Sequence, residues 1–207
     1  LGLVGESGSG KSTLGRAVLG LEPLQGGLIR IDGQAIDAAR PLPRTLRATM
    51  QAVFQDPYGS FDPRHRVERL VAEPFHLLDR PPPRREAVAA ALTAVGLAPE
   101  DAGKFIHEFS GGQRQRIAIA RALIIQPKLI VLDEAVSALD LRVRAQILDL
   151  LADLSARMGL SYLLITHDLT VVRAITDRVL VMQAGEIVEA GETEAVFATL
   201  SAASRSV

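Results

Sequence analysis

The sequence has 207 residues, of which 48% are hydrophobic and 23% are charged, and its formal net charge is −1. A chain of this length can bury a sizeable core in one domain, or in one domain with an insertion. Its near-neutral charge excludes the strongly basic surface of most nucleic-acid-binding proteins, so we expect no nucleic-acid partner. The absence of cysteine excludes disulfide bonds, thiolate metal sites and cysteine nucleophiles. No apolar run reaches the roughly 18 residues that a membrane-spanning helix requires.

Residues 1–21 predict a strand, a glycine-rich loop and a helix. The apolar stretch LGLV at residues 1–4 is typical of a buried strand, and LGRAVLGL at residues 14–21 is typical of a helix. The sequence starts within this strand and has no initiator methionine, so we expect that further strands precede it in the protein.

The loop between this strand and helix fits the phosphate-loop pattern G-x-x-x-x-G-K-[ST] at every fixed position. In such a loop the glycines let backbone N–H groups curve around phosphates. Lys11 places a positive charge at the β and γ oxygens, and Ser12 can ligate Mg²⁺. The alternative, a flexible Gly/Ser loop without a ligand, does not account for the strand before it and the helix after it. The predicted nucleotide site comprises Gly5, Glu6, Ser7, Gly8, Ser9, Gly10, Lys11, Ser12 and Thr13.

Two short strands are predicted next. Residues 27–34 alternate apolar and polar side chains and run into an Asp-Gly turn, and residues 50–55 form a strand that ends in Gln55. From residue 57 to about residue 126 the sequence has helical patterns and no strand pattern. One of these helices, at residues 85–96, follows a run of three prolines.

Strand patterns return with KLIVLDE at residues 128–134, whose continuous apolar centre suits a parallel strand covered on both faces. The elements predicted after it are a helix at about 142–158, a strand at 161–167, a helix through 171–175, a strand at 178–183 and a hairpin at 184–191. The helix at 142–158 has an apolar stripe of Val143, Ile147, Leu151, Leu154 and Met158. Strands that alternate with helices predict an α/β fold with a mostly parallel sheet and helices on both faces, into which the helical stretch is inserted.

Acidic residues end the apolar strand at residues 128–134. Asp133 lies at the edge of the sheet beside the phosphate loop, where its carboxylate can hold Mg²⁺. Glu134 follows directly and is a candidate to orient or deprotonate the attacking water. The alternative is that both are solvated strand-end residues, but the preceding phosphate loop favours the catalytic interpretation.

Polar residues also end two other apolar strands. Gln55 can contact Mg²⁺ or the water, and His167 can donate a hydrogen bond to the γ-phosphate as charge develops. Each is alternatively a strand-end residue with a structural partner. We favour function for both, because ligands of open α/β sheets bind at this edge.

The segment SGGQ opens a helix at residues 110–113, and the first N–H groups of a helix have no partner within it. By itself this segment predicts only that Ser110 caps the helix. Six motifs stand in order along the chain: GESGSGKST, the Gln55 segment, FSGGQ, LIVLDE, SALD and ITH. Together they resemble the ATPase subunit of an ABC transporter.

This resemblance implies a P-loop NTPase fold with a RecA-like core of residues 1–56 and 127–207 and a helical subdomain of residues 57–126. It also implies ATP and Mg²⁺ as ligands, with Ser12, Gln55 and Asp133 at the metal. Two such domains pair head to tail in this family. Ser110, Gly111, Gly112 and Gln113 would then close over ATP bound by the partner domain, and Asp140 would lie at the dimer seam.

The segment FQDPYGSFDPR at residues 54–64 is similar to that of ATPases from peptide and nickel importers. The resemblance implies a groove beside Gln55 that receives a helix of integral membrane subunits, which would place the protein peripherally at the cytoplasmic face of the inner membrane. Tyr58, Phe61 and Pro63 are groove candidates, or else pack inside the subdomain. In one departure from the family pattern, Ala135 stands where proline usually follows the catalytic glutamate.

Three other classes share the nucleotide motifs. DNA-repair ATPases place long coiled-coil arms where this sequence has a short segment without heptads. Translation-associated ABC proteins carry two cassettes in one chain and stay an alternative. A regulatory cassette without catalysis is disfavoured, because Lys11, Asp133, Glu134 and His167 are all present.

Overall fold

The structure, a computed structural model, describes residues 1–24, 26–31, 33–36, 41–56 and 59–203, with side chains up to residue 199. The strands in these ranges are β1 Gly2–Val4, β2 Arg30–Ile31, β3 Gln34–Ala35, β4 Met50–Phe54, β5 Leu129–Asp133, β6 Ser161–Ile165, β7 Arg178–Gln183 and β8 Glu186–Glu192. The α-helices are α1 Lys11–Val18, α2 Arg44–Thr49, α3 Val67–Val71, α4 Arg84–Ala94, α5 Gly111–Leu123, α6 Leu141–Met158, α7 Leu169–Ile175 and α8 Thr193–Ala203. Short 3₁₀ helices at Glu73–Leu77, Pro99–Gly103 and Ile106–Glu108 lie between α3 and α5.

Six strands form the main sheet in the order β4-β5-β6-β1-β7-β8, and β2 and β3 form a separate hairpin. Neighbouring strands are parallel except β8, which returns antiparallel to β7. Phe54 of β4 pairs with Asp133 of β5, which in turn pairs with Ile165 of β6. The residues that follow these three therefore lie side by side at the carboxyl edge of the sheet.

Both faces of the sheet are covered, because successive residues of a strand point to opposite sides. In β5, Ile130 and Leu132 pack in one apolar cluster with Ile147 of α6, whereas Val131 packs in a second cluster with Leu14 of α1. The three β5 side chains are at most 1% exposed, so each contributes about 1.5–3 kcal/mol by burial. The mostly parallel sheet with helices on both faces confirms the predicted α/β fold.

Between β4 and β5 the described residues form helices, and their β-pairing is an isolated bridge between Arg66 and Phe105. Val88 of α4 and Ile117 of α5 are fully buried in the same cluster that covers one face of the sheet. The predicted division at residues 57 and 126 into a RecA-like core and a helical subdomain stays a prediction.

Some local predictions are wrong. Among the described residues, the strand predicted from residue 27 forms only at Arg30–Ile31, whereas the predicted turn is present: the chain reverses near Gly33, whose φ is 77°, and continues into β3. Met158 does not extend the buried stripe of α6: it is the last residue of the helix and 41% exposed. The strand predicted at 161–167 stops at Ile165, so His167 lies beyond it. The turn residue Asp32 lies outside the described residues.

Two helices, α2 and α8, are not anticipated by the sequence patterns. Among the described residues, no helix has both the length and the apolar character that crossing a bilayer requires.

Candidate active site

The phosphate loop joins β1 to α1 and lies against β7. Gly10 caps α1 with a φ of 102°, a left-handed conformation that favours glycine. A Cβ atom on Gly5 would lie 2.1 Å from the carbonyl oxygen of Met182. These two positions therefore need glycine for backbone conformation and for close approach.

Lys11, the first residue of α1, is 6% exposed. Its Nζ donates hydrogen bonds to the carbonyl oxygens of Gly5 at 2.9 Å and Glu6 at 2.7 Å, and to Ser9 Oγ at 3.4 Å. The ammonium group thus lies inside the curve of the loop, as the motif predicts for a group that faces phosphates.

Ser12 and Asp133 meet across the loop and the end of β5, where Ser12 Oγ donates to Asp133 Oδ1 at 3.0 Å. Asp133 is 9% exposed. Burial raises the pKa of this carboxyl, and the hydrogen bond from Ser12 opposes the shift. The carboxylate of Glu134 raises the pKa further, and Arg16 and Lys11 lower it. A cation held here would favour the ionised form.

The donor set suits Mg²⁺ in particular. The described residues contain no group of three or more His, Cys, Asp or Glu side chains that could hold a metal ion. Mg²⁺ keeps several waters and takes one or two protein oxygens together with substrate phosphates. The hydroxyl of Ser12 and the carboxylate of Asp133 fit that requirement.

Glu134 and His167 also meet at the edge of the sheet. Glu134 has a φ of 50°, which is strained for a residue other than glycine, and its N–H donates to Ile165 O at 2.9 Å. Its Oε1 lies 3.2 Å from His167 Nδ1. Gln55, exposed at the end of β4, follows Phe54 and so lies at the neighbouring register position.

The SGGQ segment forms the start of α5. Gln113 N donates to Ser110 Oγ at 3.4 Å, and Ser110 N donates to Gln113 Oε1 at 3.0 Å, which together make a capping box. A Cβ on Gly112 would lie 2.5 Å from Val143 Cγ1 of α6. Ser110, Gly111 and Gln113 are exposed. Within one chain this segment therefore caps α5 and packs on α6, and its outer face is open.

Asp140 caps α6, since its Oδ1 accepts from Val143 N at 2.9 Å. Asp140 is itself exposed, and the adjacent Leu141 is 79% exposed.

Comparison with known proteins decides the family. The family model for ABC transporters matches residues 1–137. The chain belongs to the ABC transporter family. Its likeness to curated proteins agrees: it is 53% identical over 200 residues to the glutathione import ATP-binding protein GsiA of Escherichia coli K12 and of Shigella sonnei. These matches cover 95% of this chain and 32% of each relative, so the chain spans about a third of their length.

Solved structures of ABC cassettes have the same fold as this ABC domain. CbiO1 of Clostridium perfringens, part of the ABC transporter complex cbiONQ, matches with a TM-score of 0.84 and 32% identity, covering 95% of this chain and 78% of that chain. The dimeric bacterial cassette MJ0796 matches with a TM-score of 0.78 and 28% identity, covering 93% of this chain and 84% of that one. A post-hydrolysis dimer of MJ0796 bound to ADP and Pi matches with a TM-score of 0.79.

In this ABC domain the arginines of α5 hold helices together. Arg114 Nε donates to Ile106 O at 3.1 Å, and Arg116 Nη1 donates to Val95 O at 2.6 Å. Arg121 lies 4.6 Å over the ring of Phe61 and donates to Ser60 O at 3.0 Å. Burial lowers the pKa of Arg121, and Glu73 opposes the shift.

The buried ring of Phe61 decides between the two alternatives given for it. At 5% exposure it packs inside the helical segment and does not line an open groove. Pro63 is exposed, and Tyr58 lies outside the described residues.

Sequence reasoning missed Arg144 of α6. Its Nη1 donates to Asp168 Oδ2 at 2.8 Å, which joins α6 to the segment that carries His167. Arg144 and Asp168 are distant in sequence and belong to no motif, so only the packing of α6 against α7 reveals the pair.

Proposed function

We propose that this ABC domain binds and hydrolyses ATP and that hydrolysis drives an importer of peptides. The observation that carries the proposal is the meeting of two pairs, Ser12 with Asp133 and Glu134 with His167, at adjacent strand ends beside the phosphate loop. The relative GsiA is named for import of glutathione, itself a peptide, and this supports the substrate class.

Each residue of the site would have a distinct role in ATP hydrolysis. Lys11 would exchange the carbonyl oxygens that it now contacts for phosphate oxygens of ATP. Glu134 would orient or deprotonate the attacking water. Because Nδ1 of His167 faces the Glu134 carboxylate, Nε2 is the ring nitrogen that would face the γ-phosphate, and donation from both nitrogens requires the imidazolium form. Mg²⁺ held by Ser12, Asp133 and Gln55 would neutralise charge on the β- and γ-phosphates.

A second cassette would complete the site. The exposed outer face of Ser110, Gly111 and Gln113 suits a lid over ATP held by the partner, with Gly112 behind it and Asp140 at the seam. The start of α5 offers N–H groups and a positive dipole end to the γ-phosphate. The dimeric form of MJ0796 supports this arrangement.

Integral membrane subunits would dock beside the segment after Gln55. An open cavity of about 610 Å³ lies there, and its lining includes Ser60, Asp62, His65, Glu73 and His76. It offers both charges and apolar surface to a short helix. The domain would then lie peripherally at the cytoplasmic face of the inner membrane.

Sedimentation of a Glu134→Gln variant of the protein, with and without Mg-ATP, tests the proposal. We expect a dimer only with Mg-ATP, because the variant retains bound ATP between two cassettes. A Lys11→Ala control should stay monomeric. Failure of the Glu134→Gln variant to bind ATP, or dimers of equal abundance without ATP, would contradict the proposal. Co-purification of a membrane subunit tests the transport role.

A further inference from the structure

The Glu134–His167 pair belongs to a closed ring of contacts. Ser137 N and Ser137 Oγ donate to Glu134 O at 3.1 and 2.9 Å. Arg144 Nη2 donates to Ser137 O at 3.4 Å, and Nη1 donates to Asp168 Oδ2 at 2.8 Å. Asp168 follows His167 directly, and His167 Nδ1 returns to Glu134 Oε1 at 3.2 Å. Arg144 is the member of the ring that joins its two halves.

Hydrogen bonds of Asp168 to its neighbours hold the half of the ring around His167. Asp168 Oδ1 accepts from Thr170 N at 2.9 Å, which caps α7, and Asp168 N donates to Thr166 Oγ1 at 3.0 Å. Thr166 is 2% exposed. The position of Asp168 thus fixes the backbone that carries His167, and Arg144 fixes Asp168 from the side of α6.

The other half is the SALD segment, residues 137–140. Arg144 Nη2 also donates to Leu139 O at 3.3 Å, and Arg144 N donates to Asp140 O at 2.8 Å in the first turn of α6. A shift of this segment would therefore move the guanidinium, since one rigid planar group contacts both the SALD carbonyls and the Asp168 carboxylate.

Stability alone does not explain this arrangement. Nε of Arg144 is buried and has no hydrogen-bond partner among the described residues. An unsatisfied buried N–H costs free energy, so a smaller side chain would avoid that cost. Holding two loops in register is a reason to keep a guanidinium here.

We propose that Arg144 is a positioning residue that transmits the position of the SALD segment to the Glu134–His167 pair. The proposal rests on the proposed function, in which this segment lies at the seam with a second cassette. A partner that moves the segment would thereby set the geometry of hydrolysis through Arg144, in addition to its own contacts with the nucleotide in the phosphate loop.

Steady-state ATP hydrolysis by the intact protein tests the proposal through four variants and one control. We expect Arg144→Gln to lower kcat about 10- to 100-fold with an unchanged KM for Mg-ATP, because misplacement of reacting groups slows chemistry without removing the phosphate contacts. Arg144→Lys should recover part of kcat, since an ammonium can reach Asp168 but cannot also hold two carbonyls. In Asp168→Asn the side chain can still cap α7, but it no longer carries the negative charge that pairs with Arg144.

The double variant Arg144→Gln/Asp168→Asn should have a kcat no lower than that of the slower single variant, because both substitutions remove the same Arg144–Asp168 contact. Arg157→Gln is the control: Arg157 pairs with Asp153 at 2.7 Å on the exposed end of the same helix, and kcat should not change. Wild-type kcat in Arg144→Gln, multiplicative losses in the double variant, or a loss of kcat that merely follows a lowered Tm would overturn the role of Arg144. Absence of ATPase activity in the wild-type protein would instead overturn the proposed function.

Discussion

Glu134 Oε1 and His167 Nδ1 lie 3.2 Å apart at the ends of adjacent parallel strands. The contact orients the imidazole, and the strained φ of 50° at Glu134 shows that the surrounding structure fixes the backbone that carries this carboxylate. Fixed geometry is what a general base requires before substrate arrives.

The first prediction concerns Glu134 itself. Glu134→Gln should slow ATP hydrolysis roughly 10²- to 10⁴-fold, the usual effect of removing a positioned base, while ATP binding survives. Phosphate release under saturating Mg-ATP measures the rate. Glu186→Gln, an exposed change on β8, is the matched control. Hydrolysis at the wild-type rate in Glu134→Gln would show that another group activates the water.

We expect the buried carboxylate of Asp133 to lower the free energy of unfolding when no ligand is bound. Because burial raises its pKa above the usual 3.8, the folded protein binds a proton that the unfolded chain releases as pH rises above 3.8. Stability therefore falls as pH rises from 3.8 through the raised pKa. Asp133→Asn should remove this loss and raise the Tm of the nucleotide-free protein at neutral pH. It should also abolish the extra Tm that Mg-ATP confers. Thermal unfolding across acidic and neutral pH measures both, and a lower Tm in the variant would contradict the assignment.

Tyr162 is predicted to stabilise β6 through its hydroxyl. Tyr162 OH donates to Leu151 O at 3.0 Å within the core. Tyr162→Phe removes this hydrogen bond and should lower the free energy of unfolding by about 0.5–1.5 kcal/mol, since Leu151 O lies within α6 and keeps its helical N–H donor. Chemical denaturation near neutral pH measures the difference.

The same side chain predicts an alkaline effect. Burial raises the pKa of Tyr162 from 10.0 to about 12. The folded protein therefore keeps a proton that the unfolded chain loses, and stability falls as pH rises through this interval. Tyr162→Phe should lack this contribution, so the stability gap between variant and wild type should narrow at high pH. A gap that widens would contradict the sign.

Gly112 provides a test of packing at the start of α5. Gly112→Ala should lower the free energy of unfolding by about 1–3 kcal/mol, since the new Cβ would lie 2.5 Å from Val143 Cγ1. Gly111→Ala is the matched control, because a Cβ there would meet nothing within 4 Å. Adding Val143→Ala should relieve the clash of Gly112→Ala. Equal losses in the Gly111→Ala and Gly112→Ala variants would show that the contact with Val143 does not set the effect, because helix propensity alone favours alanine at both positions.

Much of the fold follows from pattern and position in the sequence. A strand, a phosphate loop and a helix fix where Lys11 and Ser12 lie, and the apolar run before Asp133 places its carboxylate at the same edge. Parallel pairing of β5 with both β4 and β6 then brings Gln55, Glu134 and His167 to the same edge of the sheet. These elements were predictable because local patterns determine them.

The remainder depends on packing that no local pattern encodes. The link from Arg144 to Asp168 requires α6 and α7 to pack side by side. Residues 27–31 alternate like a strand, yet only Arg30 and Ile31 pair, across the predicted turn, with Ala35 and Gln34. The sequence could not decide whether Phe61 lines a groove or packs inside the helical segment. The guanidinium of Arg121 over its ring shows that it is packed. How Ser110 meets a nucleotide depends on a second chain and so stays a prediction.

The ammonium of Lys11, held by the carbonyl oxygens of Gly5 and Glu6, has a consequence for the speed of nucleotide capture. The Lys11 ammonium holds the loop backbone in its phosphate-binding conformation before any nucleotide binds. Ordering that backbone costs about 1–2 kcal/mol per residue in conformational entropy, and this cost arises during folding and not during ATP binding. Because the loop backbone is already ordered, ATP needs only to replace the carbonyl contacts of Lys11, so we expect encounter by diffusion to limit how fast ATP enters this domain.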